Sequence, residues 1–307
     1  MPKKDKENNK ETTALTTGET AGDAYSTALQ TAKTVLAERF MTTLDGVEGD
    51  EAAEQQIMAL QQALAPTVKG REEMNTRWTI PTVRIIQRMT RERPPSVSDG
   101  QMVTDGGEVL DASFKFVPLY LYEQNRMFQQ GEFKAPTCFA PDGKMGSAFG
   151  ACDSCPQLPM GKNTTGKMTD CDNGVCMVVM GQNLRLYRLE FYRTSKKAGL
   201  RVDQLVARQG NLWSAWFALT TKSISNPAKG DYYIFQVAPA EEDVPLHLQD
   251  AADALCDLIT TERQAYLEIH YASVQQQAQS MGDVDERVDF DADTGDSTNP
   301  TDVSGDM

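Results

Sequence analysis

Histidine is nearly missing from this chain, with 2 in 307 residues. Imidazole is the commonest general base near neutral pH and a frequent metal ligand. Its scarcity therefore removes most hydrolytic and metal-activated-water chemistries, the more so because His247 and His270 stand far in sequence from every cysteine but one. A Ser-His-Asp order, a glycine-rich loop ending in lysine and a His-x-Glu beside Cys-x-x-Cys are also lacking, so the chain is expected not to be an enzyme. No apolar run reaches the length of a membrane span, and Met1-Pro-Lys-Lys-Asp-Lys-Glu lacks the apolar stretch of an export signal, so a cytoplasmic protein without membrane contact is expected. No internal repeat is visible.

What the chain does have is a cluster of thiols. It holds 6 cysteines, and all but Cys256 fall between positions 138 and 176. In a reducing compartment such clusters are more often metal sites than disulfides. Cys152-x-x-Cys155 is the step that lets two thiolates reach one tetrahedral ion from a tight turn, and Cys138 and Cys171 lie where they can complete the shell. Pro141, Gly143, Gly146, Gly150 and Pro156 supply the turn chemistry. Cys171 is preferred as fourth ligand because Cys176 opens the apolar run Cys-Met-Val-Val-Met and is expected to face a core, although Cys176 stays open as a replacement. The expected cofactor is one structural Zn2+, whose loss unfolds the local lobe; the bland alternative is a set of unrelated buried cysteines. Cys256, alone in a helical pattern, reads as a small apolar residue.

The formal charge is −14, but it is unevenly spread. Residues 71–240 carry 21 basic and 16 acidic groups, whereas 283–307 carry 1 and 9. Residues 1–23 are polar and expected to be disordered. A helical arm follows at 24–70, with periodic patterns at Ala24–Phe40 and Glu51–Leu64. From 71 to 240 the texture is β-like, with short runs at 78–86, 114–122, 176–180, 183–192, 212–221 and 232–237 and the Gly/Asp-rich 98–107 read as a loop. A mainly β core is expected, a small Greek-key barrel or sandwich, carrying the zinc lobe at 136–176. One long helix at 241–281 has an acidic, Pro-containing lead at Glu241–Pro245 and Leu246, Leu255, Leu258, Tyr266 and Tyr271 among its inward positions. Residues 282–307 form an acidic tail.

Basic and aromatic residues interleave after the thiol cluster. Arg185, Tyr187, Arg188, Arg193, Lys196, Lys197 and Arg201, with Trp213 and Trp216 further on, have the composition that tracks a single strand, cations for phosphates and flat rings for unstacked bases. Alternation puts Arg185, Tyr187, Leu189 and Phe191 on one face and Arg188, Glu190 and Tyr192 on the other. Each ring reads equally well as core and each charge as a solvated edge. Arginines crowd 84–93 with no aromatic between them, which suits phosphate contact. A mobile polyanion tethered beside a basic groove competes with nucleic-acid phosphates and, once displaced, is free for partner proteins.

The segment from Cys138-Phe-Ala-Pro-Asp-Gly-Lys-Met-Gly through Phe149-Gly-Ala-Cys-Asp-Ser-Cys-Pro, then Cys171 and Phe191-Tyr-Arg-Thr-Ser-Lys-Lys-Ala-Gly, resembles bacteriophage proteins with a Cys-x-x-Cys-Pro knuckle. The plan of a zinc-containing barrel plus acidic tail is similar to phage single-stranded-DNA-binding replication proteins of the oligonucleotide/oligosaccharide-binding (OB) fold. That resemblance implies an OB-like core over about 75–240 with the four thiols as ligands and Arg193, Lys196 and Lys197 near the strand. It also implies sequence-tolerant binding and protection of single-stranded DNA in replication or recombination in a host cytoplasm, with replication or recombination proteins recruited by the tail. The chain departs from that class in using four cysteines where the class uses a histidine with three, and in its long helix. The rival expectation is a non-enzymatic interaction factor in transcription or assembly, its zinc lobe purely structural.

Overall fold

A computed structural model describes residues 21–46, 49–64, 80–90, 93–128, 136–155, 157, 171–209, 213–227 and 230–282. The polar N-terminus, the acidic tail, Trp78 and Arg91 lie outside these residues, apart from the helical residues 21–23 and 282.

The chain is mixed α/β. Among the described residues four α-helices, α1 (Ala21–Gly46), α2 (Glu51–Leu64), α3 (Lys196–Gln209) and α4 (Leu246–Gly282), accompany ten strands. These are β1 (Thr82–Ile85), β2 (Met102–Thr104), β3 (Phe114–Met127), β4 (Cys138–Ala140), β5 (Met145–Gly146), β6 (Gly150–Ala151), β7 (Cys171–Gly181), β8 (Leu186–Phe191), β9 (Ala215–Ile224) and β10 (Tyr232–Asp243). The main sheet runs β10-β9-β3-β7-β8-β1-β2 with β4 added to β3, and β5-β6 is a separate hairpin. All neighbours are antiparallel except β1 and β8.

The sheet curls into a half-barrel until its two ends meet. Gln87 Nε2 donates to the Tyr233 carbonyl (2.8 Å) and its Oε1 accepts from the Tyr233 N–H (2.9 Å), while Thr221 Oγ1 donates to the Gly100 carbonyl (2.8 Å). Glycine is required at this seam: Gly100 has φ +82°, and a Cβ there would stand 2.5 Å from the Tyr233 ring.

Alternation along the strands gives the sheet two apolar faces. Phe116, Met177, Tyr187, Leu189, Phe191, Phe217 and Phe235 fill the inside of the curl with Val202 of α3. Val117, Leu119, Val178, Met180 and Trp216 meet Leu36, Phe40, Ile57, Leu60, Leu255 and Leu258 on the outside. The helical arm therefore packs on α4, where Arg39 also pairs with Asp253 and Asp257. Asp50 caps α2 by accepting from the Ala52 and Ala53 N–H groups (3.1 and 3.2 Å).

Several expectations need correction. A mainly β core underestimates the helices, since both sheet faces are helix-covered. The Gly/Asp-rich 98–107 contains β2, which closes the sheet beside β1. Glu241–Asp243 finish β10 rather than lead the helix, because their backbone still pairs with β9 at Asp243↔Ala215; Pro245 then opens α4, its carbonyl accepting from Leu248 and Gln249. Leu246 is 77% exposed rather than inward.

Candidate functional site

The end of the sheet near Met127 gathers the thiols. Met127 of β3 is registered with Cys138 of β4 on one side and Cys171 of β7 on the other, so all three side chains project from the same face. Cys152 and Cys155 come from a 3-10 turn, Cys152–Ser154, that follows the β5-β6 hairpin. All four cysteines line one hollow of about 10 Å³ with Asn125 and Met127, room for a single small ion or water and for no organic ligand. Cys176 is wholly buried in mid-strand, its Sγ 3.9 Å from the Tyr192 hydroxyl, and lies outside the hollow. Cys256 is half-buried on α4.

All six cysteines are free thiols. Cys138 and Cys171 have a whole strand between them, which at ~4.8 Å per strand separates their Cα atoms by roughly 10 Å, beyond disulfide reach. Two features suit thiolates. The Gln157 N–H donates to Cys155 Sγ (3.4 Å), and the Asn125 side chain hydrogen-bonds Cys152 and favours its charged form. Burial, and then the neighbouring thiols, push Cys152 up and Cys171 up to about 12. Cys152 and Cys171 therefore resist ionisation unless a cation joins them. Gly146 adds a close approach: a Cβ there would be 2.7 Å from Cys138 Sγ and 4.0 Å from Cys152 Sγ. Among the described residues no three Cys, His, Asp or Glu donors already stand at coordinating distance of one point. The hollow and its hydrogen bonds suit thiolates, but the four thiols are not gathered into a coordination shell.

Asn125 ties the lobe to the body of the protein. It is 4% exposed, donates to the Gly143 carbonyl (3.0 Å) and accepts from Asn173 Nδ2 (2.7 Å); the Asn173 oxygen in turn accepts from Lys196. The long helix grips the same lobe. Arg263 donates to the Pro141 carbonyl, His270 Nε2 meets the Met145 carbonyl (2.9 Å), and Tyr271 donates to Asp142. His270 is thus near the lobe in space though remote in sequence, but it does not line the thiol hollow.

The expected nucleic-acid residues divide sharply. Tyr187 is fully buried, edge-on to Phe114, its hydroxyl donating to Glu108 (3.2 Å); Trp216 is 5% exposed and Trp213 packs against the outer core. Tyr187 and Trp216 are core residues with no ring face open to a base, which corrects their assignment. Arg185 is exposed but 3.5 Å from Glu108. Arg188 donates to Thr82 Oγ1 (2.7 Å) and pairs with Glu190 (3.2 Å). Arg193 sits at φ 49°, the left-handed region that side-chain-bearing residues seldom adopt, and its Nε reaches both oxygens of the buried Asp172 (2.8 and 2.9 Å). Lys197 and Arg201 are exposed on α3, with Arg208 further along.

That α3 begins at Lys196 was not legible as a helix start, since a β-like run precedes it and Gly199 interrupts the pattern. None of the helices is long and apolar enough to cross a membrane among the described residues. No family model, curated protein or solved structure matches this chain.

Proposed function

We propose that this chain is a non-enzymatic single-stranded-DNA-binding protein built on an OB-like barrel, with a structural Zn2+ held by Cys138, Cys152, Cys155 and Cys171. The observation that carries the reading is connectivity. The five strands β3, β7, β8, β9 and β10 lie in the order β10-β9-β3-β7-β8, the long β3 pairs with both β7 and β9, and α3 fills the step between β8 and β9. That order matches the connectivity of a partly open five-stranded Greek-key barrel of the OB type, which supports the reading; β1 and β2 would then be an added pair and the thiol lobe an insertion between the first two barrel strands. Lys196, Lys197 and Arg201, close to the lobe through Asn173, supply cations for phosphates. The tail, in this reading, competes with the strand and recruits replication or recombination proteins.

Fluorescence titration with a dT oligonucleotide of about 30 nucleotides at two salt concentrations tests the reading. Expected are saturable binding that weakens steeply with salt and tightens when the chain ends at Met281. No binding at low salt would overturn it.

One observation favours the interaction-factor alternative: Arg185, Arg188 and Arg193 each face a carboxylate of this chain, which reduces the cation available to phosphate. That alternative predicts a stable protein partner and no response to dT.

A further inference from the structure

The first half of α4 packs against the sheet and the helical arm through small and aliphatic residues such as Ala251, Leu255 and Leu258. Toward its middle the packing opens into a cavity of about 380 Å³, a size typical of ligand sites and unlike the close packing of a core.

The cavity's two walls are regular. Tyr120, Tyr122 and Gln124 alternate along β3, and Tyr120 is registered with Val178 and Val178 with Arg188, so ring and guanidinium stand in one row across three strands. At ~4.8 Å per strand their backbones are roughly 10 Å apart. Opposite, Ile259, Glu262, Arg263 and Tyr266 form one helical stripe. The Arg263 guanidinium lies 3.6 Å from the Tyr122 ring centroid and 5.8 Å from that of Tyr120. This face of β3 thus already accepts a flat, delocalised group, and Arg188, whose Nε and one terminal nitrogen are engaged by Thr82 and Glu190, still keeps 43% of its side chain exposed.

We infer that this cavity is a base-binding subsite, taking one unstacked nucleotide of a bound strand, its base among Tyr120, Tyr266 and the Arg263 guanidinium and its phosphate toward Arg188. Stacking rings beside guanidinium groups is the chemistry that holds unpaired bases. Two arginines beside the acids Glu262 and Asp105 suit a ligand with both an anionic group and a hydrogen-bonding edge. The inference rests on the strand-binding reading and names a surface that basic-aromatic composition alone did not indicate, since Tyr187 and Trp216 are core.

The test is photocrosslinking of the full-length chain to a dT oligonucleotide of about 30 nucleotides carrying 5-iododeoxyuridine, with crosslinked peptides mapped by mass spectrometry, alongside titration of Tyr266→Ala and Arg188→Gln. Expected are crosslinks within 118–124 or 259–267, and about 5- to 150-fold weaker binding by Tyr266→Ala. Crosslinks confined to α3 or the loops, with both variants binding normally, would overturn the subsite and leave strand binding standing. Absence of binding at every salt concentration would overturn both. Because crosslinking uses the unaltered protein, a variant that fails to fold does not spoil the test.

Discussion

Gly146→Ala probes the thiol site without removing a ligand. The added Cβ would lie 2.7 Å from Cys138 Sγ and 3.4 Å from the Gly150 carbonyl, and Gly146 is not among the glycines at positive φ, so alanine meets no backbone penalty there. The only severe clash is with the tip of one short side chain. In the metal-free protein that sulfur turns away by rotating about a single bond, which costs little. If zinc is held as proposed, with the sulfur ~2.3 Å from the metal, the clash cannot be relieved without distorting the site, and overpacking of this kind costs about 1–3 kcal/mol. The substitution should therefore weaken zinc binding by about 5- to 150-fold, measured by competition with a chromophoric chelator, while the melting temperature of the metal-free protein stays nearly unchanged. Unaltered zinc affinity would refute convergence of Cys138 beside Gly146; an equal loss of stability with and without metal would show an ordinary packing defect.

Asn125→Ala should destabilise the protein by about 2–4 kcal/mol in urea unfolding, because it leaves Asn173 and the Gly143 carbonyl without this buried partner; a loss below about 1 kcal/mol would show that the network does not hold the lobe. Lys197→Ala combined with Arg201→Ala should reduce the slope of log affinity for dT against log salt by about 1.4, roughly 0.7 for each phosphate no longer neutralised, and an unchanged slope would remove α3 from the interface. Burial pushes the Cys176 thiol up to about 12. Its contribution to stability is complete below the unfolded thiol value of about 8.5 and is lost as pH rises from there through 12, because the unfolded chain ionises first. Cys176→Ala should accordingly flatten the alkaline fall in melting temperature, and an identical fall in both proteins would contradict that sign.

Much of the architecture was legible because it is local. Helical spacing marks Glu51–Leu64, whose bounds coincide with α2, and the long pattern that becomes α4; period-two runs mark β3, β7, β8, β9 and β10. The Cys152-x-x-Cys155 step was legible as a tight turn because two residues suffice to make it. Alternation along β8 was also read correctly, with Tyr187, Leu189 and Phe191 sharing a face. What alternation could not say is which face is buried when both carry large side chains. Arg188 and Tyr187 are adjacent, and only the packing of Phe114 on one side and Thr82 on the other sends the ring inward and the guanidinium to the cavity edge.

Spacing and composition within short windows were enough to place three of the four helices described, most of the strands, the thiol cluster and the basic middle between acidic flanks. Folding in three dimensions was needed to bring Cys138 and Cys171 to either side of Met127 from different strands, to set His270 and Tyr271 on the thiol lobe, and to lay Arg263 over Tyr122. The partners in those arrangements come from separate elements, most of them more than a hundred residues apart along the chain, and no local pattern encodes which faces meet when a curled sheet is closed and its helices docked upon it.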